Sequence, residues 1–261
     1  MTSKDLEPIS REVRRNVLRM VHRGKAAHLA SALSCVDLLV CAMWGPYTTK
    51  DSIIFSKGHA VSAFYSALAE RGYFPKDLLE EFNVDGGRLP EQPSPGSVPG
   101  MEFAAGSLGH GLPYGLGIAL GSRVLGNHDK RVLVVMSDGE CEEGSVWEAA
   151  MFAPHQKCGR LAVIIDKNKW QATGRTAEVT GLDPLSDKWR AFGWNAVDVD
   201  GHDHQAVSVA LEDAYRQESQ PTAIVAHTVK GKGVSFMEDD NNWHYRVPNS
   251  AELEKALAEL S

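Results

Sequence analysis

Apolar residues near the start of the chain recur at helical spacing. Ile9, Val13, Val17, Met20 and Val21 form one stripe, which predicts a helix that buries a single face. Arg11, Arg14, Arg15, Arg19 and Arg23 fall largely off that stripe, and the expectation is a solvated basic face. Further helical stretches are predicted over residues 34–43 and 58–72, the second opened by the turn Ser56-Lys57-Gly58. From 86 to 111 the texture changes: glycine and proline crowd together, which excludes regular structure, and loops of that length are uncommon unless functional. A helix rich in glycine and alanine is predicted over 112–125.

The second half alternates more plainly. Short, wholly apolar runs at 132–136 and 161–165 predict strands buried on both faces, with a helix at 144–156 between them. Two more units follow: a helix near 187–192 with a strand at 196–199, then a helix carrying Val207, Leu211, Ala214 and Tyr215 with a strand at 222–226. Residues 250–260 form a last amphipathic helix. Strands joined by helices predict an α/β domain, doubly wound, with a mostly parallel sheet, right-handed crossovers and helices on both faces.

Composition adds limits. With 261 residues, 43% hydrophobic and 23% charged, the chain suits one large domain spanning residues 1–261. A formal net charge of -7 argues against nucleic acid or an anionic membrane as the main partner. No apolar run reaches the ~18 residues of a membrane span, and residues 1–15 lack the apolar centre of a signal peptide. The expected location is the cytoplasm. Cys35, Cys41, Cys141 and Cys158 show no CxxC spacing and are expected to be free thiols.

Ligands in such sheets sit beyond the carboxyl ends of the strands, at the point where strand order reverses. Polar residues directly after apolar strands are therefore the first candidates. Asp138 follows one strand and Asn168 the next, about thirty residues on, a single strand–helix–strand step. Neighbouring strand ends would bring both side chains to one ion. Magnesium suits the donors: a carboxylate, an amide oxygen and a loop carbonyl near Trp170, with phosphate and water completing about six oxygens. Gly139 lets backbone approach an anion, and the N-terminus of the following helix would face it. Taken alone, Asp-Gly after a strand is equally a plain strand-to-helix turn.

With its surroundings, the pattern resembles a known family. Ser137-Asp138-Gly139 followed by Asn168 is similar to the thiamine-diphosphate signature, which usually opens Gly-Asp-Gly. Ser56-Lys57-Gly58-His59, Pro99-Gly100-Met101-Glu102, Gly106-Ser107-Leu108-Gly109, Glu143-Gly144 and Gly231-Lys232-Gly233 with Trp243-His244 resemble transketolase motifs, in order, along nearly the whole chain. The resemblance implies that Asp138, Asn168 and the Trp170 carbonyl hold Mg²⁺ (or Ca²⁺ or Mn²⁺), with Gly139 and His59 at the diphosphate. Gly106 and Leu108 would line the aminopyrimidine end of thiamine diphosphate. His28 and His244, with His59, would serve catalysis by assisting proton transfers at neutral pH. Glu143 would lie at the subunit interface. His155, His202 and His204 receive no role and are expected at the surface.

Two positions depart from the family. Ser137 replaces the first glycine of the metal motif, which puts little in doubt. Gln92, in Glu91-Gln92-Pro93, stands where the family has a histidine that helps bind the donor sugar. Gln92 can hydrogen-bond a hydroxyl but carries no titrating proton, so the donor, or its orientation, is expected to differ. The resemblance also implies a missing half, since a full transketolase has a pyrimidine-binding domain that supplies the activating glutamate. The expectation is a split enzyme, an α2β2 heterotetramer whose second chain carries the pyrimidine-binding and C-terminal domains, acting on a sugar phosphate or related substrate. Alternatives are a subunit of a 2-oxo acid decarboxylating or dehydrogenase complex, a biosynthetic ketol transferase, or a non-catalytic, cofactor-binding regulatory protein.

Overall fold

The computed structural model describes residues 3–261. At its centre lie five strands: β1 (Ser52–Phe55), β2 (Val132–Ser137), β3 (Leu161–Lys167), β4 (Asn195–Asp200) and β5 (Thr222–His227). They run in the spatial order β1-β2-β3-β5-β4, and all four pairings are parallel. Every residue of β2 is buried, which is why its sequence is apolar from Val132 to Met136 rather than alternating. Successive side chains still point to opposite faces. Leu133 and Val135 enter one core, while Val132, Val134 and Met136 enter the other.

The first core lies under α1 (Ser3–Gly24), α2 (Leu29–Ser34), α3 (Val36–Met43), α4 (Val61–Glu70), α9 (His204–Arg216) and α10 (Ser250–Glu259); the second lies under α5 (Gly111–Val124), α6 (Gly144–His155) and α8 (Leu185–Ala191). A short helix, α7 (Thr176–Val179), follows β3. The doubly wound expectation holds, with a wholly parallel sheet. The chain leaves β1 and β5 toward the first layer, but β2 and β3 toward the second. Its backbone therefore diverges above the carboxyl ends of the central strands and opens a crevice there.

Four details differ from the sequence reading. The edge strand β1 was not foreseen, because four residues flanked by polar ones give too short a periodic signal. The helix expected over 34–43 begins at Val36, after a separate short helix, α2, that ends at Ser34, with Cys35 capping both. Arg14 is not solvated: it is 4% exposed and makes a double hydrogen bond to Asp37 at 2.9 and 2.6 Å. His202 and His204 are not surface residues either, since both meet the same Asp37 carboxylate, at 2.8 and 3.2 Å. A buried aspartate needs several donors, and these long-range partners carry no periodic signature. All four cysteines are buried free thiols, and no helix is long and apolar enough to cross a membrane among the described residues.

Candidate functional site

Asp138 and Asn168 stand just past the carboxyl ends of adjacent strands β2 and β3, whose register pairs Ser137 with Asp166. Asp138 is 1% exposed. Its Oδ2 accepts the Lys169 N–H at 2.9 Å and the Thr176 hydroxyl at 3.1 Å, while Oδ1 accepts only the Gly139 N–H, at 3.0 Å. An ionised carboxylate accepts about four bonds, so Oδ1 keeps capacity for another partner. Asn168 Oδ1 takes the Trp170 N–H at 3.1 Å, and its amide nitrogen faces Ser34 and Asp166. Burial, then the nearby charge of Asp166, pushes Asp138 up to about 6. A carboxylate short of positive charge, beside an amide oxygen, suits a divalent cation. Among the described residues no group of three His, Cys, Asp or Glu side chains forms a self-contained metal cage.

Between Asp138 and α6 a 3₁₀ turn spans Gly139–Glu142, and α6 begins at Gly144, where the sequence predicts it. Glu140, buried in that turn, accepts from Ser56 Oγ and from the Gly109 N–H at 2.9 Å, pinning the glycine-rich loop over the strand ends. At Gly58 the loop comes so close that a Cβ would lie 1.6 Å from the Ala105 carbonyl oxygen, which leaves glycine as the residue that fits.

Above this floor lies a cleft of about 380 Å³ lined by His28, His59, Gln92, Gly106, Leu108, Gly139, Glu143, Asn168, Trp170 and His244. Those are the sequence candidates, brought together from the turn between α1 and α2, the glycine-rich loop, and the segments after β1, β2, β3 and β5. Asp138 alone of the set lies beneath the lining rather than in it. Gln92, Gly106 and Glu143 are exposed, as the rim of an open cleft. Trp170 is braced by Asp239, which accepts its indole N–H at 2.7 Å, and by Arg175 stacked 3.7 Å from its ring.

The histidines differ in state from a freely titrating imidazole. Burial, then the charge of Lys230, lowers His244 to about 3. Burial, then Lys57, holds His59 well below the usual range. Lys230 donates to His244 Nδ1 at 2.8 Å, which leaves the proton on Nε2. The cleft thus holds neutral imidazoles, suited to donating or accepting hydrogen bonds.

Several members were not singled out from sequence. Asp166, Lys57 and Lys230 are fully buried; Lys57 pairs with Asp166, which Ser34 and Thr228 also bond. Charges inside or beside buried runs were the available signal. Glu91, which bonds His28 Nδ1 at 3.3 Å, gave none.

Known proteins resemble this chain in sequence and fold. The model of the family described as "Transketolase, thiamine diphosphate binding domain" matches residues 25–258. An apulose-4-phosphate transketolase subunit from Phocaeicola vulgatus is 35% identical, aligned over 100% of this chain and 95% of that protein. A 6-deoxy-6-sulfo-D-fructose transketolase subunit from Clostridium sp. is 34% identical over 98% of this chain and 96% of its own length. A solved Pichia stipitis transketolase in complex with sedoheptulose-7-phosphate superposes with a TM-score of 0.90 at 26% identity, over 99% of this chain. The chain spans 41% of that larger protein.

Proposed function

This chain belongs to the transketolase family, in its thiamine-diphosphate-binding domain, and from that membership we propose that it is the diphosphate-binding subunit of a two-chain transketolase. Residues 1–261 act as one domain, and a second chain supplies the pyrimidine-binding and C-terminal domains in an α2β2 assembly in the cytoplasm. The pair moves a two-carbon ketol unit from a ketose or ketose phosphate to an aldehyde. The observation that carries this reading is the convergence of Asp138 and Asn168 beneath a cleft ringed by His28, His59 and His244. Relatives matched over nearly their whole length and named as subunits support the split arrangement.

In this reading Asp138, Asn168 and the Trp170 carbonyl hold Mg²⁺, and Gly139 and His59 meet the diphosphate. Gly106 and Leu108 line the aminopyrimidine end, and Glu143 faces the partner. The bound cofactor supplies the carbon chemistry that breaks the donor's carbon–carbon bond. The protein supplies position and protons. His244, its Nδ1 engaged by Lys230, presents Nε2–H to a substrate oxygen, and His28 meets a neighbouring hydroxyl. Gln92 donates or accepts at the donor sugar without titrating. Two relatives are named for apulose-4-phosphate and 6-deoxy-6-sulfo-D-fructose, and Gln92 supports a modified ketose as donor here too.

The test is co-purification with the protein encoded by the neighbouring reading frame, then a ketol-transfer assay with Mg²⁺ and thiamine diphosphate. Turnover by the pair and by neither chain alone is expected. Consumption of a 2-oxo acid with CO₂ release, and none of a ketose, would contradict the transfer reading. A cofactor-loaded pair with no turnover on either would leave a non-catalytic binding protein.

A further inference from the structure

Glu91 reaches back to the turn that carries His28. Its Oε1 accepts the Ala27 N–H at 3.0 Å and meets His28 Nδ1 at 3.3 Å. From the other side, the His28 N–H donates to the His244 carbonyl at 2.6 Å. His28 depends on such anchors: its φ of 66° places a β-carbon-bearing residue in the left-handed region, a strain that persists only where surrounding contacts hold it. The imidazole is also confined edge-on against His244, His59 and Tyr245, at 4.9, 5.5 and 5.7 Å between ring centres.

We propose that Glu91 is a positioning residue for His28: it takes the Nδ1–H, fixes the tautomer with an unprotonated Nε2, and so leaves Nε2 to accept a proton or hydrogen bond from a substrate hydroxyl. The inference rests on the reading of the cleft as a ketol-transfer site. An ionised carboxylate only accepts, so the shared proton sits on Nδ1, and the bond made by one ring nitrogen sets the state of the other. Among the described residues His28 Nε2 has no hydrogen-bond partner, and the residue lines the cleft.

The titratable and charged groups around His28 are Glu91, His59, His244, Lys230 and Tyr245. Glu91 is the one carboxylate. Burial lowers His28 first, Lys230 lowers it further, and Glu91 opposes both. His244 sits in the same cleft beside Lys230 with no such carboxylate, and is the internal control. Glu91 stands immediately before Gln92, so one loop that departs from the family pattern supplies both a non-titrating donor-site residue and the group that orients a histidine.

Glu91→Gln separates charge from structure, because an amide oxygen still accepts the Ala27 N–H. In the full chain labelled with ¹⁵N-histidine, the His28 signals are identified by their loss in His28→Asn. The expected result is an Nδ1-protonated His28 in the unmodified chain, and in Glu91→Gln a mixed tautomer that titrates at lower pH. In the reconstituted pair, Glu91→Gln should lower kcat about tenfold, move the acid limb of the pH profile to lower pH and leave KM nearly unchanged; Glu91→Asp should recover part of the loss. An unchanged His28 tautomer and titration in Glu91→Gln would overturn the pairing. Full turnover by His28→Asn, with the Glu91-dependent tautomer intact, would instead overturn the catalytic reading of His28 and leave the pairing standing.

Discussion

Two buried carboxylates, Asp37 and Asp138, are nearly equally hidden, at 3% and 1% exposure, yet they are treated in opposite ways. Asp37 is fully answered. Arg14 grips it in a fork, and His202 and His204 add two more contacts. Against the burial that would raise it, Arg14 and the two histidines hold Asp37 well below the usual carboxylate range. Among the described residues, Asp138 receives backbone N–H groups and one hydroxyl but no direct cation, and it is pushed up to about 6; its neighbour Glu140 has no partner for Oε2 among them. The first cluster ties α1 and α3 to the start of α9; the second leaves electrostatic demand unmet at the strand ends. A site is where that demand is left open.

The largest effect is expected at Asp37. Asp37→Ala strands the buried Arg14 and should destabilise the chain by about 3–5 kcal/mol, read as a lower midpoint in urea unfolding. The two groups also oppose each other in pH dependence. Asp37, depressed when folded, contributes stability that is present above the unfolded value near ~3.9 and is lost as pH falls through its folded one. Asp138, raised when folded, contributes stability below that unfolded value and loses it as pH rises through about 6. Unfolding curves from pH 4 to 7 should therefore show Asp138→Asn gaining on the unmodified chain as pH rises, by up to a few kcal/mol; a gain that shrinks with pH would contradict the assignment. The smallest effect belongs to Gln92→His, which should shift the preference between modified and unmodified ketose donors several-fold, within ~1–2 kcal/mol, without changing the unfolding midpoint.

Much of this was legible in the sequence because buried parallel strands are written in apolar runs and the residues after them are displaced to one edge. That logic found Asp138 and Asn168, and resemblance to transketolase motifs brought His28, His59, Gln92 and His244 to the same cleft. What escaped was set by tertiary partners. Lys57 and Asp166 neutralise each other across 109 residues, and Arg14 finds Asp37 only once α1 and α3 pack. A helical wheel puts Arg14 beside solvent-facing arginines, and nothing local distinguishes it. The 3₁₀ turn between Asp138 and α6 also gave no periodic signal: it is set by Glu140 reaching Ser56 and Gly109.

In the proposed function Asp138 is an unanswered carboxylate kept for a metal–diphosphate ligand. Calorimetric titration of thiamine diphosphate into the reconstituted pair, with Mg²⁺ and after chelation, tests it most directly when paired with Asp138→Asn. The expected result is Mg²⁺-dependent binding by the unmodified pair, an affinity loss of at least ~100-fold in the variant, and an unfolding midpoint at pH 7 that does not fall. Normal, Mg²⁺-dependent binding by folded Asp138→Asn would contradict it.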